Sequence, residues 1–233
     1  MPVLRADITA KRIRELVEAA RAVFCRRGFE RSQMADVAKE MGVATGTVYL
    51  YVESKEALFD LVIRHGAEEN PAWLDSLEIP VRTPAPGATV DFLRTVFART
   101  EWPLLESALK RKKPVDALAE LDAILREQYG LIRRHRHGLL LLMRSALEFP
   151  GLSAVFVHGL RNKLIEYLSQ YIAMRAKAGH LRMPGDLQAT TALMIQSITW
   201  ANLQRPLDPG LAELSDGTVE DSTIELLVRG LTP

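Results

Sequence analysis

Seven residues in one short stretch of the sequence carry groups suited to contacting a nucleic acid. Tyr49, Tyr51 and Lys55 offer two phenol hydroxyls and an ammonium within about three helical turns. That is the donor set which clamps phosphate oxygens without reading sequence. Thr45 and Thr47 lie just before them, and Gln33 opens the preceding segment. A threonine hydroxyl both donates and accepts, and its methyl packs on thymine, so Thr45 and Thr47 are candidates to touch base edges, with Gln33 a further one. Gly46 between the threonines lets backbone come close to another surface.

These groups need elements to hold them. Met34, Val37, Ala38 and Met41 recur at spacings of three and four, so the segment after Gln33 is expected to be a helix with one buried face. Ser32 is expected to cap it, and Gly42 to end it in the left-handed conformation. A very short second helix is expected over 45–50, and a third from Ser54, with Glu56 in its first turn. Helix, glycine turn and short helix form the helix-turn-helix pattern, whose second helix enters the DNA major groove. An ordinary pair of packed helices shows the same outline. Upstream, Ile13, Leu16, Val17, Ala20, Val23 and Phe24 make one apolar stripe over about 9–27. Gly28 should end that helix and Phe29 fold back on Phe24, giving a three-helix head around Phe24, Phe29, Val37, Val48 and Leu58.

The segment from Ile13 to Leu61 resembles the N-terminal domain of the TetR/AcrR family of transcriptional regulators. The matching residues are Ala19-Ala20, Phe24, Gly28-Phe29, Val37-Ala38, Gly42-Val43, Gly46-Thr47-Val48-Tyr49, Tyr51, Ser54-Lys55-Glu56 and Leu58. Two positions depart from the pattern. Thr45 stands where many members carry Lys or Arg, and Val52 where Phe is commoner. The resemblance implies a ligand-responsive regulator, most often a repressor, that binds a palindromic operator as a homodimer. It implies a body that binds a small hydrophobic effector, and a subunit interface on two C-terminal helices.

Composition agrees with a local DNA-binding head. The 233 residues carry a formal net charge of only +1. Between Arg5 and Arg31, however, eight Lys and Arg stand against four Asp and Glu, and acidic residues dominate after Pro206. Cys25 is the single cysteine, so neither an intramolecular disulfide nor a cysteine-based zinc site is expected. The N-terminus lacks an apolar signal region, and the longest apolar run, Leu139 to Met143, is far short of the ~20 residues of a membrane span. A cytoplasmic protein is expected.

The body reads as helices throughout, making the chain all-α. A head over 1–53 and a body over 54–233 are expected, with the Ser54 helix as connector. Pro103 should bend or break a helix over 89–113, Pro114 should open the next, and Gly138 should separate it from 139–149. Pro150-Gly151 reads as a turn, followed by long helices over 152–178 and 186–203 and a last one over 218–229. The two long helices are apolar over a wide arc. Ala189, Ala192, Ser197 and Ala201 on the second would permit close approach of a partner subunit.

Candidate effector contacts are Phe97, Trp102, Tyr129, Met143, Arg144, Phe156 and Tyr167, an aromatic and soft apolar set of the kind that lines pockets between helices. Glu148 and Asn162 are further polar candidates. His135 and His137 lie two apart and so on different helical faces, which does not suit a metal site. No phosphate-binding loop, nucleophile elbow or Glu-x-x-His pair is present, so neither enzymatic activity nor a cofactor is expected. A helical small-molecule-binding or protein-interaction module without DNA readout is the alternative. It would bury the rings of Tyr49 and Tyr51, whereas a phosphate clamp needs them exposed.

Overall fold

The computed structural model describes residues 2–67, 71–114, 116–146 and 148–233. Twelve α-helices are found among them: α1 (Pro2–Arg27), α2 (Met34–Met41), α3 (Thr45–Val48), α4 (Lys55–Ala67), α5 (Ala88–Ala98), α6 (Pro103–Lys110), α7 (Ala117–Arg134), α8 (Arg136–Ser145), α9 (Pro150–Phe156), α10 (Asn162–Lys177), α11 (Leu187–Thr199) and α12 (Asp216–Arg229). The described residues contain no β-strand beyond one isolated bridge between Val52 and Val81, so the fold is all-α. They pack as two compact units, residues 1–98 with 137–156 and residues 99–136 with 157–233.

In the first unit, α1 lies against α2 and α4. The apolar stripe of α1 is buried as its spacing requires, with Ile13, Leu16, Val17, Ala20 and Phe24 all fully covered. Gly28 ends α1 at φ 79°, and its N–H donates to the Phe24 carbonyl at 2.9 Å. Phe29 returns onto Phe24 with ring centroids 5.9 Å apart. Ser54 caps α4, its hydroxyl accepting from the Ala57 N–H at 3.0 Å. The fourth helix is described to Ala67. Its expected continuation to about residue 69 lies outside the described residues.

In the second unit, α6, α7, α10, α11 and α12 enclose a core that includes Trp102, Leu121, Tyr129, Leu168, Ile172 and Ile198. Arg175 is buried within this unit. Its guanidinium pairs with the Glu120 carboxylate at 2.9 Å and donates to the carbonyls of Ala108 and Arg111 at 3.0 and 2.9 Å. The last carbonyls of α6 lack intrahelical partners, and Arg175 supplies them from α10.

Several expected boundaries fall elsewhere, each for a local reason. Ser32 does not cap α2: its hydroxyl is buried and donates to the Gly28 carbonyl at 2.6 Å, and Gln33 occupies the cap position. Pro103 opens α6, where its missing N–H costs nothing. Pro114 does not open α7. Asp116 does, accepting from the Leu118 and Ala119 N–H groups, because a carboxylate satisfies free donors that proline cannot. Gly138 lies inside α8, and the break falls at His135. Gly138 serves instead for close approach: a Cβ on Gly66 would stand 3.3 Å from its Cα. Pro150 begins α9 rather than a turn. The expected helix over 152–178 is interrupted by a π-helical segment at Val157–Arg161, and α11 runs into a second one at Trp200–Gln204.

Candidate nucleic-acid interface

The interface is built from the turn that joins α2 to α3. Gly42 takes the left-handed conformation at φ 71°, and the Val43 N–H reaches back to the Ala38 carbonyl at 2.9 Å. Only a residue without Cβ adopts this conformation freely, so the glycine ends α2 and redirects the chain. At the other end of α2, the Asp36 carboxylate accepts from the Gln33 N–H at 2.9 Å. The same carboxylate pairs with Arg27 at 2.7 Å, tying α2 to the end of α1.

The third helix is one turn long, shorter than the 45–50 expected, and Tyr49 follows as its C-cap residue. Val48 is fully buried and anchors it. Thr45, Gly46 and Tyr49 are exposed around that anchor, Tyr49 at 48%, while Thr47 and Tyr51 are half-buried and Gln33 is exposed. A buried Val48 thus fixes the helix while its small and hydroxyl-bearing neighbours face outward.

Tyr51 is held by a contact the sequence did not reveal. Its carbonyl accepts from the Val81 N–H at 2.8 Å, and the Glu53 N–H donates to the Val81 carbonyl at 3.0 Å. The Ser54 and Thr83 hydroxyls are hydrogen-bonded at 2.8 Å, and the Glu53 carboxylate accepts from the Thr83 N–H at 2.9 Å. The proline-rich loop after α4 therefore fastens the segment between α3 and α4. Its residues carry no periodic pattern, so only chain reversal brings them there.

Lys55 is half-buried, and its ammonium is engaged inside the protein. It donates to the carbonyls of Phe29, Glu30 and Ser32 at 3.0, 3.4 and 3.2 Å and lies 4.1 Å from the centroid of the Phe29 ring.

The seven candidate effector contacts divide between the two units. In the first, Phe97 is buried and meets Phe156 at 6.4 Å between centroids, Met143 is half-buried and Arg144 is exposed. In the second, Trp102 and Tyr129 are buried in the core, and Tyr167 sets its ring edge-on to Trp102 at 5.8 Å. Desolvation pushes the Tyr129 phenol up, and the nearby carboxylates of Asp216 and Glu220 add to the shift. A cleft of about 400 Å³ between α6 and α7 is lined by other residues, among them Leu104, Ala108, Arg111, Glu120 and Ile124. Asn162 is exposed, and Glu148 turns toward the head, where its carboxylate meets the backbone of Glu30. Among the described residues no group of three or more His, Cys, Asp and Glu is placed to hold a metal, and no helix is long and apolar enough to cross a membrane.

A glycine-turned helix pair with an exposed, hydroxyl-rich second helix, carried on an all-helical chain, defines a helix-turn-helix protein. Residues 16–62 match the family model described as bacterial regulatory proteins, tetR family. The chain belongs to that family through this N-terminal domain. It is 46% identical over 74 residues to an uncharacterized HTH-type transcriptional regulator, YfiR, of Bacillus subtilis (strain 168), covering 32% of this chain and 36% of that protein. It is 32% identical over 71 residues to the fatty acid metabolism regulator protein of the same organism, covering 30% and 35%. The matched segment thus spans little more than a third of either curated relative. The fold likeness extends further. The ketosteroid transcriptional regulator KstR2 of Mycobacterium tuberculosis superposes with a TM-score of 0.58 at 19% identity, over 95% of each chain. AibR, solved with isovaleryl coenzyme A and operator DNA, superposes with a TM-score of 0.52 at 16% identity, over 93% of this chain and 98% of that one.

Proposed function

We propose that this protein is a ligand-responsive, DNA-binding transcriptional regulator, acting as a homodimeric repressor on a near-palindromic operator. The observation that carries the reading is the short α3, anchored by buried Val48 and presenting Thr45, Gly46, Thr47 and Tyr49 outward. The exposed ring of Tyr49 speaks against a module that packs this helix on protein.

In the proposed complex α3 enters the major groove, where Thr45 and Thr47 meet base edges and Gln33 reaches in from the start of α2. Gly46 leaves room for close approach. Tyr49 and Tyr51 donate to phosphates. Lys55 joins them by exchanging carbonyl partners for a phosphate oxygen, a move its three alternative acceptors make local. Two heads would read half-sites one helical turn, ~34–36 Å, apart.

Dimerisation is assigned to α10 and α11. The exposed face of α11 carries Leu193 at 66% and Trp200, just past its end, at 40% exposure, seven residues apart and so on one side. Large apolar side chains in such a row favour a covering partner. A small hydrophobic effector bound by the body would favour the form that does not fit the operator, and could shift the population only by its differential affinity for the two forms. Isovaleryl coenzyme A, bound by the structural relative AibR, is the first effector to try.

The test is selection of duplex DNA from a random pool, followed by fluorescence anisotropy over a salt series with scrambled DNA and a Tyr49→Ala variant as controls. Tight, salt-sensitive and sequence-selective binding that the variant weakens is expected. A pool that enriches nothing would refute DNA readout.

A further inference from the structure

The turn between α1 and α2 is held from two sides, and one of them comes from far along the chain. Glu148 and Phe149 follow the end of α8, their N–H groups still bonded to the Ser145 carbonyl at 3.0 and 2.9 Å. The Glu148 carboxylate accepts from the Glu30 N–H at 3.0 Å across 118 residues of sequence. The Phe149 ring lies 5.0 Å from that of Phe29 and 5.9 Å from that of Phe59. From the opposite side the Lys55 ammonium takes the carbonyls of Phe29, Glu30 and Ser32. A peptide turn gripped at its N–H by a carboxylate and at its carbonyls by an ammonium has little freedom left.

Gly28 fits this grip closely. Its left-handed φ of 79° already favours glycine, and a Cβ there would stand 2.8 Å from Glu148 Oε1. The carboxylate thus occupies the space that a side chain at position 28 would need. The turn leads directly into Gln33, the N-cap residue of α2, so its conformation sets how α2 leaves α1.

We propose that Glu148 and Phe149 are positioning residues of the reading head: they fix the 28–32 turn and thereby the orientation of α2 and α3. The assignment rests on the DNA-binding reading above. It also gives the end of α8 a mechanical hold on the head, since any shift of α8 along its axis displaces the carboxylate that Glu30 needs and the ring that Phe29 packs on.

The experiment uses the full chain. Glu148→Ala is expected to speed hydrogen exchange of the Glu30 amide about tenfold, the loss of one charge-assisted hydrogen bond. Exchange in α11 should not change. Affinity for the selected duplex should fall by a similar factor with its salt slope intact, because no phosphate contact has been removed. Glu148→Gln keeps an acceptor oxygen and should restore most of both. Gly28→Ala should destabilise the protein more with Glu148 present than in the Glu148→Ala background, since the crowding is then gone. Phe149→Leu should weaken DNA binding in the same direction as Glu148→Ala. Unchanged exchange at Glu30 in Glu148→Ala, or strict additivity with Gly28→Ala, would overturn the proposal. Exchange and the double-mutant cycle need no DNA, so they decide it even if no duplex is selected.

Discussion

The Lys55 ammonium lies 3.0 Å from the carbonyl oxygen of Phe29 and 4.1 Å from the centre of its ring, so one side chain of α4 fastens the turn that introduces α2. This gives Lys55 two separable contributions. Lys55→Met removes the hydrogen bonds to the turn and should destabilise the protein by about 1–3 kcal/mol, the range for bonds to a charged group. If the ammonium also moves to a phosphate on binding, the slope of log affinity against log salt should fall by about one. Chemical denaturation and a salt titration of DNA binding measure the two independently. A slope that keeps its wild-type value confines Lys55 to the turn.

The hydroxyls around Val48 should separate by what they read. Thr47→Ala is expected to relax preference at one or two positions of each half-site, at about 1–3 kcal/mol for a base contact. Tyr49→Phe should weaken all sequences alike, since a phosphate contact carries no sequence information. Tyr49 is exposed, so its substitution should leave the unfolding midpoint within about 0.5 kcal/mol of wild type. Repeating the selection from a random pool with each variant distinguishes the two patterns.

The head was legible because each signal in it is local. The stripe from Ile13 to Phe24, the left-handed Gly28 and Gly42, and the Ser54 cap all act within four residues of themselves. The same rules misplaced Ser32, whose hydroxyl is drawn back to Gly28 rather than forward to α2. Further along, proline and glycine were read as breakers. Pro103 and Pro150 instead start helices, and Gly138 provides a close crossing with Gly66. A glycine used for contact and one used for a turn look identical until the contacting segment is known. The supports of the interface were illegible for the same reason. Val81 and Thr83 lie in a loop without periodicity, and Glu148 and Phe149 lie 118 to 120 residues from the turn they touch.

The apolar row on α11 makes a prediction about assembly. Leu193→Glu places a charge on a side chain already exposed in the single chain, so the fold should tolerate it. In a dimer built on this face it would bury an unpaired charge, a cost of several kcal/mol. Sedimentation velocity at micromolar concentration should show the wild-type protein as a dimer and Leu193→Glu as a monomer with an unchanged helical circular-dichroism spectrum. DNA affinity should drop with it, because a lone head engages one half-site. A dimeric Leu193→Glu protein would place the interface elsewhere.

Arg175 and Glu120 test how the second unit is held. Removing one partner of a buried pair leaves the other charge without compensation, typically at about 3–5 kcal/mol. Arg175→Met should reach that range, because it also abandons the carbonyls of Ala108 and Arg111. The lost bonds lie at the end of α6, so hydrogen exchange should rise there and at the start of α7 while α1 to α3 keep their protection.

The acid side of the stability profile should carry the signature of His65. Burial lowers its pKa from the ordinary 6.5, the Glu18 carboxylate opposes the shift, and Arg21 adds to it; the ring Nδ1 is buried without a hydrogen-bond partner. The folded state therefore holds His65 neutral at a pH where the unfolded chain begins to take up a proton. Stability from this group is present above pH 6.5 and is lost as pH falls from there through the lowered folded value, since the unfolded state then binds more protons. His65→Gln removes the titrating group. Its unfolding free energy should show a shallower decline than wild type over that window in urea titrations at stepped pH. Parallel curves for the two proteins would mean that His65 titrates alike in both states and that the decline comes from other groups.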